Sequence, residues 1–359
     1  MRVVTVVGTR PEVIRLSRII PRLDRACEHV LVHTGQNYDH ALRGLFFEEL
    51  GVRLPDVQLD VKAAAFGEQV GLLLARGQQL LEERRPDRLL VLGDTNSGLV
   101  AYVAKRLGVP VVHLEAGNRC YDDRVPEEVN RRVIDQCSDL LLPYTEGARR
   151  NLEAEGIPSR RIHVVGNPIH EVLEHHRGQI AASAVHARLG LSEGRYVLAT
   201  AHRQENVDDP ARLGALVTSL ERVAEALSLP VIVSTHPRTR ARLAARGGPP
   251  SPGVRFVDPL GLFDFVRLER DARCVLTDSG TVQEECCLLR VPNVTLRDTT
   301  ERPETLACGS SLLVGVEPDA VLRGVRLALD RPTTWRIPPE YLVEDVSGAA
   351  VGLTLGRLP

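Results

Sequence analysis

Short apolar runs, rich in Val and Leu, recur along the chain at 2–7, 29–33, 88–92, 109–114, 139–142 and 163–165. Each is followed by a stretch whose apolar positions fall at helical spacing. Runs without polar alternation predict strands buried on both faces of a parallel sheet. A second series at 196–200, 230–234, 254–257, 273–277, 292–296 and 311–314 repeats the alternation. Between the two lie Gly166-Asn167-Pro168 and a polar helical pattern over 171–189, read as the crossing between domains. The expected fold class is α/β, with two doubly wound domains and a ligand cleft between them. The first covers 1–168 and the second 169–345, and 346–359 packs back on the first. In such sheets ligands sit outside the carboxyl ends of the strands.

With 359 residues there is enough chain for two cores, and the formal charge of −2 implies no broad basic surface. Nucleic acid is therefore not an expected partner, and any anion site must be local. No apolar run is long enough to span a membrane, and the N-terminus reads as a strand without signal-peptide anatomy, so a cytoplasmic protein is expected. The seven cysteines show no CxxC spacing, which predicts reduced, mostly buried thiols and no metal site.

Two strand-to-helix junctions stand out. The run before Thr277 leads into Asp278-Ser279-Gly280-Thr281 and then a helical pattern carrying Glu285. A hydroxyl, a small-residue turn and a helix N-terminus together favour an anion, and Glu285 is placed to accept from sugar hydroxyls. Near the other end of the chain, Gly8-Thr9-Arg10-Pro11 follows an apolar run and opens a helix. There Pro11 fits a first turn, and the Arg10 fork can hold a phosphate. A nucleotide bearing ribose and phosphate is implied.

Carboxylates gather at other strand ends. Asp94 follows the run at 88–92, Glu115 ends the next, and the loop to 125 leads into a helix start with Glu127, Glu128 and Arg131. Taken singly, such residues usually cap helices or form salt bridges. Crowded at one rim, they are better suited to proton transfer, where mutual repulsion and burial tune acidity. His202-Arg203 and His236-Pro237-Arg238 follow later strands; a lone His at a strand end is more often structural, but His202 is better read as a diphosphate ligand. Arg302, in Arg297-Asp298-Thr299-Thr300-Glu301-Arg302, fits a substrate contact or an internal ion-pair network equally.

Seven ordered segments carry a family resemblance: GTRPE at 8–12, GDTNS at 93–97, EAGNR at 115–119, VPEEVNRR at 125–132, HR at 202–203, TDSGTVQEE at 277–285 and RDTTERPE at 297–304. Nearly the whole chain resembles the non-hydrolysing UDP-N-acetylglucosamine 2-epimerases. That resemblance implies two Rossmann-like domains of the GT-B type, with the carboxylates on the first and the UDP site on the second. It also implies C2 inversion of a UDP-N-acetylhexosamine by loss and re-addition of UDP, without metal or redox cofactor, in a homodimer. By resemblance Asp94, Glu115 and Glu127 transfer protons, with His202 also at the catalytic centre. Arg10, His202, Ser279, Gly280 and Thr281 hold the diphosphate, and Glu285 the ribose. Arg15, Arg131 and Arg302 support substrate or carboxylates.

Three departures qualify the match. Position 15 is Arg where well-known members have Lys. Gln36 is kept, but Asn37 and Arg43 stand where members activated by a second UDP-GlcNAc carry His and Gln, so such activation is not expected. Several motifs also resemble a branch acting on a UDP-linked 6-deoxy-L-sugar, the alternative substrate. A GT-B glycosyltransferase would not need three carboxylates, and a non-catalytic UDP-sugar binder would not keep them.

Overall fold

A computed structural model describes residues 1–35, 47–63, 65–246 and 251–359. The first six strands are β1 Arg2–Val7, β2 Glu28–His33, β3 Val57–Gln58, β4 Arg88–Leu92, β5 Val111–Leu114 and β6 Leu140–Leu142. They form one parallel sheet in the order β3-β2-β1-β4-β5-β6. The other six are β7 Val197–Thr200, β8 Val231–Ser234, β9 Val254–Val257, β10 Cys274–Thr277, β11 Asn293–Thr295 and β12 Ser311–Leu313. Their order is β12-β11-β10-β7-β8-β9. Counted from its own first strand, each sheet follows the same path, and the winding reverses between β1 and β4 in one and between β7 and β10 in the other. Those reversals are where doubly wound sheets open a crevice for ligands.

The central strands are buried because helices cover both faces, so nearly every position is apolar: Val3, Val4, Val6 and Val7 in β1, and Val275 and Leu276 in β10. The helix Pro210–Leu227 shows how the covering elements form. Asp209 caps it by accepting from the Ala211 amide, Pro210 occupies its first position, and Ser228 ends it in the left-handed region at φ 51°. Leu213, Leu216, Leu220 and Val223 recur at helical spacing and are buried against the second sheet's core. Full burial of each such side chain contributes about 1.5–3 kcal/mol.

The chain divides into two compact units, Met1–Glu174 with Pro339–Pro359, and His175–Pro338. The first boundary thus falls after Glu174 rather than 168, and the returning segment begins at Pro339 rather than 346. That segment is tied into the first unit by Arg22 paired with Asp345 at 2.7 Å, by the Ser347 amide donating to Glu171 at 2.8 Å, and by the Asn167 amide donating to the Glu340 carbonyl at 3.0 Å.

Three elements differ from expectation. Residues 163–165 form no strand: only an isolated bridge joins Ile162 to Leu141, and Gly166 turns the backbone to φ 90° before a ladder can grow. Two-residue β3 was not foreseen, being too short and polar to show a period. The helical pattern over 171–189 is three pieces, Pro168–His175, Arg177–Ala182 and Val185–Leu189, interrupted at His176 and at Ser183-Ala184. Among the described residues no helix is long and apolar enough to cross a membrane.

Candidate active site

At the end of β1 the chain turns through Gly8 and Thr9 into the helix Arg10–Leu16. Gly8 is required by close approach, since a Cβ there would lie 1.9 Å from Ser97 Oγ and 2.3 Å from Thr34 Oγ1. Arg10 is half-buried at the first helical position. The turn's amides serve a carboxylate of the chain. Glu12 Oε2 accepts from the Gly8 amide (2.9 Å), the Thr9 amide (2.6 Å) and Thr9 Oγ1 (2.7 Å), while Oε1 accepts from Thr95 Oγ1 at 3.0 Å. Thr9 and Glu12 form a capping box, a pattern legible three residues apart and missed. Burial pushes the Glu12 carboxyl up to about 7, against the opposing pull of those hydrogen bonds.

Thr95 belongs to the loop after β4, so Glu12 joins the two strand ends at the first sheet's reversal. Next to it, half-buried Asp94 accepts from Arg131 Nε (3.1 Å) and Nη2 (2.5 Å). Arg131 lies on the helix Pro126–Cys137 and also donates to buried Glu128 at 2.5 Å. Glu128 is taken up further by the Cys120 and Tyr121 amides, each at 3.0 Å. Burial would raise its carboxyl, but these amides and Arg131 hold it below the usual range. Glu127 is half-buried in the same first turn. At the end of β5, Glu115 is buried with its backbone in the left-handed region at φ 69°. It is held by Arg15, by Tyr144 Oη at 3.2 Å and by Asn118 Nδ2 at 3.4 Å. Repulsion among the carboxylates is therefore not the organising feature. Asp94 and Glu115 are each held by an arginine, Asp94 sharing Arg131 with Glu128.

In the second unit, Asp278 at the end of β10 organises the turn after β7. It accepts from the His202 amide (3.1 and 3.0 Å), the Arg203 amide (2.9 Å) and Asn206 Nδ2 (3.2 Å), and the His202 ring nitrogen Nδ1 lies 3.5 Å from it. The His236 ring is 5.7 Å from that of His202. Asp278 had no role in the reading of its motif, because nothing in the letters shows that β7 lies beside β10. After it comes the helix Gly280–Leu289, where Ser279 makes no side-chain cap and the first turn holds no acidic residue. Thr281 is half-buried, and Glu285 is buried next to fully buried Glu269. Desolvation first, and then the nearby Glu285 charge, push the Glu269 carboxyl well up. Gly280 admits no side chain, since a Cβ would lie 2.7 Å from Glu301 Oε1.

Arg302 falls in an ion-pair network inside the second unit. Its Nε is 2.5 Å from Glu284, while Glu301 takes Arg203 at 3.1 Å and Arg297 at 2.7 Å. Gln36, Asn37 and Arg43 lie outside the described residues. Among the described residues no group of three or more His, Cys, Asp or Glu is arranged to hold a metal ion.

Two parallel six-stranded sheets wound alike, with polar side chains gathered at both reversals, define a two-domain α/β protein of the GT-B-like class. The family model described as UDP-N-acetylglucosamine 2-epimerase matches residues 22–347, and the chain belongs to that family of isomerases. It is 38% identical over 348 residues to the UDP-N-acetylglucosamine 2-epimerase of Methanocaldococcus jannaschii, covering 94% of this chain and 95% of that one. It is 36% identical over 335 residues to the UDP-2,3-diacetamido-2,3-dideoxy-D-glucuronate 2-epimerase of Pseudomonas aeruginosa, covering 92% and 93%. The crystal structure of the M. jannaschii enzyme in complex with UDP-GlcNAc and UDP superposes with a TM-score of 0.91 at 35% identity, covering 97% of this chain and 99% of that one.

Proposed function

We propose that this chain inverts C2 of a UDP-N-acetylhexosamine, converting UDP-GlcNAc to UDP-ManNAc by elimination and re-addition of UDP. The observation that carries this reading is the pair of arginine-held carboxylates, Asp94 and Glu115, at neighbouring strand ends beside a sheet reversal. The C2 hydrogen of such a sugar has no carbonyl beside it to make it acidic. Loss of UDP from C1 supplies the driving force: a carboxylate takes the C2 proton, the C2–H electron pair becomes a C1=C2 bond, and the C1–O pair leaves with UDP. Return of a proton to the opposite face of 2-acetamidoglucal, with the phosphate oxygen rejoining C1, completes the inversion. No electrons are gained or lost, so the chemistry calls for no redox cofactor.

In this reading Asp94, Glu115 and Glu127 share the proton transfers, with Arg131 and Arg15 fixing the first two. Arg10, His202 and the Ser279-Gly280-Thr281 turn take the diphosphate charge, and Glu285 takes the ribose hydroxyls. Arg302, through Glu284, steadies the helix that carries Glu285. The P. aeruginosa relative supports a second reading, the same inversion on a UDP-linked sugar altered at C3 and C6. A homodimer is part of this reading, with Tyr102, Val129 and Val133, exposed on two helices of the first unit, as candidates for its seam. Incubating the protein with UDP-GlcNAc and with UDP-linked diacetamido and 6-deoxy-L sugars, and resolving the C2 epimers by chromatography, tests substrate and class together. UDP-ManNAc is the expected product. Turnover of only another UDP-sugar would move the substrate, and none with any would overturn the reaction.

A further inference from the structure

The helix Gly280–Leu289 presents Glu284 and Cys287, one turn apart, to the segment that begins at Arg302. Glu284 meets Arg302, and Cys287 meets Cys308, their sulfurs 3.8 Å apart. Cys308 closes the short helix Pro303–Ala307 and is half-buried, so a small oxidant can reach it, whereas Cys287 is fully buried behind it. Four other thiols have different partners: Cys27 faces the Leu23 carbonyl, Cys120 Glu128, Cys274 the Val275 carbonyl and Cys286 Glu269.

We infer that Cys308 and Cys287 form an oxidisable thiol pair, a modification site in which Cys308 is attacked by a peroxide and Cys287 resolves it to an intramolecular disulfide. The surroundings suit the two roles. Cys308 is the more exposed of the two, and hydrogen bonding from Cys287, opposed by burial and aided by Ser310 at 3.3 Å, lowers its thiol, favouring the nucleophilic thiolate. In the first step the Cys308 thiolate takes one oxygen from hydrogen peroxide, giving a sulfenic acid and hydroxide. In the second, the Cys287 thiol displaces that oxygen, forming the S–S bond and releasing water. The thiol pair loses two electrons and two protons, and the peroxide is reduced. Closing the bond requires side-chain rotation to bring the sulfurs from 3.8 Å to bonding distance, about 2.05 Å. It would staple the helix carrying Glu284 and Glu285 to the segment after Arg302, reinforcing the ion pair one turn away.

The test is peroxide treatment of the intact protein, then thiol titration under denaturing conditions and peptide mapping without reductant. The expected result is a fall from seven titratable thiols to five, with a Cys287–Cys308 cross-linked peptide that dithiothreitol reverses. Cys308→Ser should keep its remaining thiols under the same treatment, and Cys287→Ser should stop at a Cys308 sulfenic acid trapped by dimedone. Seven thiols surviving in the wild type, a disulfide between other positions, or over-oxidation of Cys308 without the cross-link would overturn the inference.

Discussion

The junction after β1 closes on itself: Glu12 gathers two backbone amides, a threonine hydroxyl of its own turn and another from the loop after β4. The junction after β10 has the same strand, small-residue turn and helix, yet Ser279 does not cap that helix and no acidic residue follows in the first turn. Instead the acidic group nearest the turn, Asp278, points its oxygens at the amides of His202 and Arg203. A helix N-terminus can be satisfied by the chain or offered to a ligand, and only the second kind is an anion site. In the proposed reading the first junction contributes the Arg10 side chain and a brace between strand ends, and the second contributes the Ser279-Gly280-Thr281 turn to the diphosphate.

In the proposed reaction the first unit carries the proton-transfer carboxylates, and the diphosphate is held by Arg10 and by residues of the second unit. Asp94→Asn, Glu115→Gln and Glu127→Gln should each lower kcat about a hundredfold or more while leaving UDP affinity nearly unchanged. Near-normal turnover in all three would break the division. A comparable effect, but on stability, is expected at the brace. Its folded carboxyl sits near 7, above the free value of 4.5, so its contribution is complete below pH 4.5 and is lost as pH rises through 7. Chemical denaturation should show unfolding free energy falling by on the order of 3 kcal/mol between pH 5 and 8 from this group, and Glu12→Gln should remove that slope. An unchanged slope would mean that Glu12 stays ionised throughout. Smaller effects belong to the nucleotide: Arg10→Ala and His202→Ala should each weaken UDP by roughly 2 kcal/mol, about thirtyfold, by calorimetry. Unaltered affinity would move the nucleotide elsewhere. Removing divalent ions with EDTA should change turnover least of all, by nothing measurable, and recovery on adding back a metal would contradict that.

The two sheets were legible because their strands are buried on both faces and read as nearly continuous apolar runs, as in Val3–Val7 and Cys274–Leu276. Two-residue β3 had no period to show, and 163–165 had the letters of a strand but ended at a positive-φ glycine. Within the site, the residues at strand ends could be named from the pattern, but what holds them could not. Tyr144 and Arg15 meet Glu115 from positions 29 and 100 residues away in the chain. Arg131 reaches Asp94 across 37 residues, and Arg302 turns inward to Glu284. Such partnerships depend on which strands lie side by side, and no local spacing encodes that. Glu12 is the exception, since its capping box is local and could have been read.

Proton exchange at C2 separates the proposed chemistry from every alternative that merely binds UDP-sugar. Wild-type protein incubated with UDP-GlcNAc in D2O should place deuterium at C2 of the epimer, seen by NMR as loss of the C2 proton signal with the manno product appearing. Glu115→Gln should suppress both, while His202→Ala should retain exchange at raised substrate concentration. Epimer formed with its C2 hydrogen fully retained, or no exchange and no epimer from any of the UDP-sugars, would contradict proton transfer by the first unit's carboxylates.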